Sequence, residues 1–194
     1  VLYVEQSGQN NSSGEYMGFG LTERFDCLDW LNWEIERCGS DIPVYLAGVS
    51  MGATTVLMAA GLQLPPNVHG IMADCGFTSA NAIWEHIAKD NLHIRFGIRS
   101  AIADRMCRRK IQVGSKEHST VEALKHTHVP VILVHGADDH FVPVEMTYEN
   151  YTACTAPKDL LIVPGADHGM SYFMEYENAV KAFWAKYDRP RCEA

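Results

Sequence analysis

The chain of 194 residues holds 47% hydrophobic and 21% charged residues, the make-up of one soluble globular domain with a sizeable core rather than of two domains. Its formal charge of -8 argues against nucleic acid or an anionic membrane as the main partner, since an acidic surface attracts neither. No apolar run approaches the roughly 20 residues of a membrane span, and Val1-Leu2-Tyr3-Val4 gives way at once to polar residues, unlike a secretory signal.

Val1 to Val4 reads as a first strand cut off at its start. A protein seldom begins inside a core strand, so the chain is expected to be the C-terminal part of something longer or an unusually small version of its fold. Residues 6–18 are polar and glycine-rich, hence a loop. Leu21, Phe25, Leu28, Leu31 and Ile35 recur at intervals of three and four. That spacing predicts an amphipathic helix ending near Cys38-Gly39, with the glycine as its cap. Val44 to Val49 is the second expected strand, residues 51–60 a helix closed by Gly61, and Val68 to Asp74 the third strand.

Residues 77–126 carry little strand signal and several short helical stretches, including Ser79 to Lys89 and Val121 to His126. Arg95, Arg99, Arg105, Arg108, Arg109 and Lys110 concentrate positive charge there. A solvated helical face accounts for them, and a lid meeting an acidic substrate is the alternative. Pro130 to His135 and Leu160 to Val163 are the fourth and fifth expected strands. Tyr176, Val180, Phe183 and Tyr187 mark a closing helix. Short apolar strands alternating with helices predict an α/β fold, a three-layer sandwich on a mainly parallel sheet of about five strands, in one domain over residues 1–194.

The six cysteines, Cys27, Cys38, Cys75, Cys107, Cys154 and Cys192, are scattered and include no Cys-x-x-Cys pair. Zinc spacing is absent. Free thiols in a reducing, cytoplasmic setting are expected, with disulfides the less favoured reading of an even count.

In an open parallel sheet, function collects at the carboxyl ends of the strands. The run from Val44 enters Gly48-Val49-Ser50-Met51-Gly52 and continues into a helix-forming stretch. Strand, sharp turn with a central serine, and helix together are the context of a nucleophile elbow. The flanking glycines are expected because side chains there would clash with strand and helix. Asp138 and Asp139 follow the fourth strand in His135-Gly136-Ala137-Asp138-Asp139, and His168 follows the fifth in Gly165-Ala166-Asp167-His168. A serine hydroxyl needs a base to become a nucleophile, an imidazole supplies one near neutral pH, and a carboxylate fixes its tautomer. Other candidates weigh less: Asp74 as an alternative acid, His135 as a loop support, and His140 and Asp167 as neighbours of the acid and the base. Tyr172, Phe173 and Met174 are pocket-lining or core residues.

On Gly48-x-Ser50-x-Gly52, Ala73-Asp74-Cys75-Gly76-Phe77-Thr78-Ser79, His135-Gly136-x-x-Asp139-x-x-Val142-Pro143 and Gly165-Ala166-x-His168, nearly the whole chain resembles the α/β-hydrolase superfamily, and within it bacterial serine hydrolases of the esterase/peptidase-like type. The resemblance implies Ser50 as nucleophile, His168 as base, Asp139 rather than Asp138 as acid, and the Met51 N–H in the oxyanion hole. It implies a small helical cap or lid over residues 77–126 and no cofactor or metal. The sequence departs from the family twice. Where the family carries a segment like DQRxHGxSxG, residues 5–14 keep Ser12 and Gly14 but have Ser7, Gln9 and Asn10 in place of the arginine, histidine and first glycine. The family would also have three further strands ahead of Val1, and with them the loop that gives the second oxyanion donor, whose absence is expected to cost on the order of 10²–10³ in kcat. One of those strands would flank the elbow strand. Either Val1 to Glu5 is expected to fill that place or a second copy, as a homodimer, to cover the edge.

These readings lead to a serine hydrolase acting on a small-molecule ester or acyl substrate, with amides, peptides or another acyl acceptor less favoured. The rival is a catalytically impaired relative serving as a ligand-binding or interaction module.

Overall fold

The computed structural model describes residues 1–171 and 176–187. The elements alternate in the expected way: α1 (Glu23–Cys38), β1 (Val44–Val49), α2 (Met51–Ala59), β2 (Val68–Asp74), α3 (Ala80–His86), α4 (Gly97–Ile111), α5 (Thr120–Leu124), β3 (Val131–Gly136), α6 (Val144–Ala153), β4 (Lys158–Val163) and α7 (Tyr176–Tyr187). A π-helical turn, Ile87–Asn91, extends α3. Local signals set several ends. Gly39, at φ 91°, caps α1 through its N–H to Ile35 O, as a C-cap glycine should. The hydroxyls of Ser79 and Ser119 accept the N–H groups of Ala82 and Glu122 and start α3 and α5.

The sheet is parallel throughout, in the order β1-β2-β3-β4. Alternation along the strands divides the core into two faces. Ile71, Ala73, Val131 and Leu133 pack with Ala53, Val56 and Leu57 of α2 and Leu124 of α5. Met72, Ile132 and Val134 pack with Val180 and Phe183 of α7 on the other side. Helices, sheet and helix make the three layers. Residues 77–126 hold α3, the π turn, α4 and α5. The cations at 95, 99, 105, 108, 109 and 110 are exposed. Arg108 pairs with Asp104 at 3.0 Å and with Glu117.

The described sheet has four strands, not about five. Val1 to Glu5 form no ladder, and β1 is bonded to β2 alone among the described residues. Leu2 and Val4 are 47% and 41% exposed, so this apolar run lacks the covered face that would reward strand pairing. The segment does not fill the place beside β1. The loop behind it closes on itself, with Gly8 N–H to Ser13 O at 2.9 Å, and is tied to α1 by Ser7 N–H to the Asp26 carboxylate at 2.8 Å. All five described cysteines are free thiols. No described helix is long and apolar enough to cross a membrane.

The elbow turn separates its two glycines. A Cβ on Gly48 would lie inside van der Waals contact with the Gly52 carbonyl, closer than real Cβ atoms approach. A Cβ on Gly52 meets nothing within 4 Å, so the expected clash holds for Gly48 and not for Gly52. Gly48→Ala is expected to destabilise the fold by about 1–3 kcal/mol or more through backbone overlap. Gly52→Ala should be neutral or gain up to about 1 kcal/mol from helix propensity. Urea unfolding followed by tryptophan fluorescence checks both, and equal losses at the two positions would contradict this packing.

Candidate active site

Three loops at the carboxyl ends of β1, β3 and β4 meet above the sheet. Ser50 closes β1 with φ 54° and ψ −117°, a conformation L residues rarely adopt. Its N–H bonds to Asp74 O at 2.8 Å and so continues the sheet one residue beyond the strand. Immediately after it α2 begins. Thr54 N–H makes the bond back to Ser50 O at 3.0 Å, which leaves the N–H groups of residues 51–53 without a partner inside the helix. Among the described residues the Met51 N–H has no partner, and it lies at the helix start beside the serine, where the helix dipole favours negative charge.

Asp139 sits in the loop after β3 with its carboxylate wholly buried. One oxygen accepts the N–H groups of Phe141 and Val142, both at 2.8 Å. The other lies 2.7 Å from His168 Nδ1 and 3.1 Å from His135 Nε2. Burial pushes the carboxyl up, and the hydrogen bonds from His135, His168, Val142 and Phe141 outweigh it and hold it far below the usual carboxylate range. Asp138, the alternative acid, points to solvent.

His168, in the loop after β4, uses both nitrogens: Nδ1 toward Asp139 and Nε2 toward Ser50 Oγ at 3.0 Å. The bond to Asp139, then the nearby Cys75 thiol, raise its pKa above the ordinary histidine value. Phe141 packs edge-on to the imidazole, ring centroids 5.1 Å apart. The structure therefore brings Ser50, His168 and Asp139 into one hydrogen-bonded line.

The remaining candidates hold this line in place. His135 is fully buried. Its Nε2 faces only acceptors, Val142 O at 2.9 Å and Asp139, so it carries the proton, and its Nδ1 accepts from the Thr147 hydroxyl at 2.6 Å. Asp167 is exposed but ties the two loops together, accepting the N–H groups of His140 at 3.3 Å and His168 at 2.7 Å. Asp138 N–H adds a bond to Ala166 O at 3.0 Å. Asp74 is not bonded to His168. Its buried carboxylate accepts the Ser171 hydroxyl at 2.9 Å, which anchors the far end of the His168 loop. Residues 172–174 lie outside the described residues.

Cys75, Thr147 and Ser171 were not marked as site residues by the sequence. Cys75 stands beside Ser50 through strand register, since Val49 pairs with Asp74 and the next residues along neighbour each other, a pairing that the linear sequence does not give.

No family model matches the chain. The uncharacterized protein YqkD of Bacillus subtilis (strain 168) is 24% identical over 172 residues, covering 89% of this chain and 56% of its own length, so the chain spans little more than half of that relative. Among solved structures, the Pyrococcus furiosus esterase Pf2001 superposes with a TM-score of 0.72 at 17% identity, over 94% of this chain and 69% of its own. The α/β hydrolase GrgF from Penicillium sp. sh18 gives 0.68 at 16% identity, over 94% and 78%. The chain has the α/β-hydrolase fold.

His135→Ala should cost about 3 kcal/mol or more, since it opens a cavity and strands Val142 O and the Thr147 hydroxyl. Thr147→Val, which removes one hydrogen bond at nearly constant volume, should cost about 1–2 kcal/mol. Guanidinium denaturation of the two variants measures both, and a His135→Ala loss no larger than that of an exposed control such as His140→Ala would refute the support role.

Proposed function

We propose that the chain is a serine hydrolase cleaving carboxylic esters. The observation that carries this reading is the relay from Ser50 Oγ to His168 Nε2 at 3.0 Å and from His168 Nδ1 to Asp139 at 2.7 Å, set over the first turn of α2. Ser50 Oγ attacks the ester carbonyl carbon while its proton passes to His168 Nε2. Asp139 stabilises the imidazolium and keeps Nδ1 protonated. The Met51 N–H, with its helix dipole, stabilises the oxyanion. Collapse of the tetrahedral intermediate expels the alcohol, which takes the proton from Nε2. Water, deprotonated by the same nitrogen, then attacks the acyl-enzyme, and Ser50 recovers its proton as the acid leaves.

Residues 77–126 act as the cap in this reading, and the inward residues of α3 border the site. Phe77 and Ile83 pack in one cluster with Val142, Met146, Phe19, Met51 and Trp84. An ester rather than an amide is favoured because Pf2001, with the same fold, is an esterase.

A fluorophosphonate probe should label the wild type and not Ser50→Ala. Turnover of short-chain p-nitrophenyl esters should fall by about 10⁴ in Asp139→Asn, where the imidazole takes the wrong tautomer. A wild type that neither labels nor turns over esters would instead mark an impaired relative acting as a binding module.

A further inference from the structure

The residue beside the nucleophile on the neighbouring strand is a thiol. Cys75 follows β2, is fully buried, and continues the ladder through its N–H to Val134 O at 2.9 Å. Its sulfur, a carboxylate oxygen of Asp139 and a ring nitrogen of His168 all lie within 4.8 Å of one another. Thiolate, imidazole and carboxylate are the donors that zinc takes, at about 2.3, 2.1 and 2.1 Å. In a tetrahedral site such donors sit about 3.4–3.7 Å apart. Closing around an ion therefore asks each side chain to shift by about 1 Å or less. The Cys-x-x-Cys spacing absent from the sequence is not needed, because three separate loops supply the donors.

We propose that Cys75, His168 and Asp139 form a site for a thiophilic divalent cation, zinc by preference, whose occupancy shuts the hydrolytic relay off. The inhibitory part of this claim rests on the serine-hydrolase reading, and the site itself does not. On binding, the Cys75 thiol releases its proton to solvent, the His168 proton moves from Nδ1 to Nε2, and sulfur–metal, nitrogen–metal and oxygen–metal bonds form without any redox change. The ion takes the ring nitrogen that faces Asp139, Nδ1, and its fourth position falls to water, while Ser50 Oγ stays 3.0 Å from Nε2 on the other side of the ring. His168 and Ser50 are only part-buried, so an ion can reach the site from solvent. The carboxylate is already oriented by the Phe141 and Val142 N–H groups, and His135 lies against its metal-facing oxygen, the outer support that metal-binding carboxylates commonly have. An imidazole and carboxylate engaged by the ion cannot accept the Ser50 proton. Hard cations such as magnesium have no use for a buried thiol.

The test uses the full chain, freed of metal and titrated with cobalt(II) and zinc. Wild type and Ser50→Ala should each bind one cobalt with a thiolate-to-metal charge-transfer band that zinc displaces. Cys75→Ala and Cys75→Ser should lack the band. Relative to each variant's own metal-free rate, zinc inhibition of p-nitrophenyl ester turnover should weaken at least about tenfold on removal of Cys75, since even outer-shell partners are worth about 10–100-fold in metal affinity. Magnesium should leave the rate unchanged. If the Cys75 variants fold poorly, zinc-induced thermal stabilisation of wild type compared with His168→Ala reports the same site, and an equal shift in both would refute it. The proposal is overturned by a wild type without the band, by a band that survives in both Cys75 variants, or by zinc inhibition equally potent with and without Cys75. A chain that never hydrolyses esters still answers the binding question through the cobalt spectrum.

Discussion

One buried negative charge organises the upper end of this molecule. The Asp139 carboxylate has no solvent exposure, and leaving such a charge without partners would cost several kcal/mol. The loop after β3 resolves this by turning back so that the Phe141 and Val142 N–H groups meet one oxygen, while His168 and His135 meet the other. The same four contacts shape the loop, fix the imidazole and keep the carboxyl ionised. Loop stability and site geometry are thus a single requirement, and a change that frees the charge disturbs both.

The loops begin from fixed points because the sheet does not stop at its strands. Ser50 N–H bonds to Asp74 O, Cys75 N–H to Val134 O and Ala137 N–H to Val163 O, at 2.8, 2.9 and 2.9 Å. Each is one more rung, from the residue just past a strand to the next strand over. Three neighbouring strands therefore launch their loops from hydrogen-bonded positions, and the side chains of the candidate site start close to rigid backbone. Cross-ties from Asp167 and Asp138 then join the β3 and β4 loops.

Much of this could be read from the chain because a parallel sheet covered on both faces leaves short continuous apolar runs, and each candidate site residue falls a few positions after one. The same rule misread Val1 to Val4, where an apolar run has no covered face to join. It also passed over α6, whose buried residues Met146, Thr147 and Asn150 keep helical spacing but are mostly polar. Helix α4 inverts the usual signal: Ser100 is buried while Ile98, Ile102 and Met106 are exposed at 85%, 57% and 59%, so its pattern suggested only short helical pieces. The roles of Cys75, Ser171 and Asp167 depend on register between strands and on contacts between loops, which linear spacing does not encode.

Backbone strain sharpens the contrast between two of these residues. Ser50 and Cys75 end adjacent strands and both hold positive φ, 54° and 47°, at a cost of order 1–3 kcal/mol each that glycine would largely avoid. At Ser50 the strained turn sets the hydroxyl 3.0 Å from His168 Nε2. At Cys75 a glycine would relieve the backbone, yet the chain keeps a fully buried thiol, next to an imidazole and a carboxylate. The cost is offset by the extra sheet rungs that pin both residues. The two strained positions therefore lie side by side, a hydroxyl on one strand end and a buried thiol on the next, with His168 close to both.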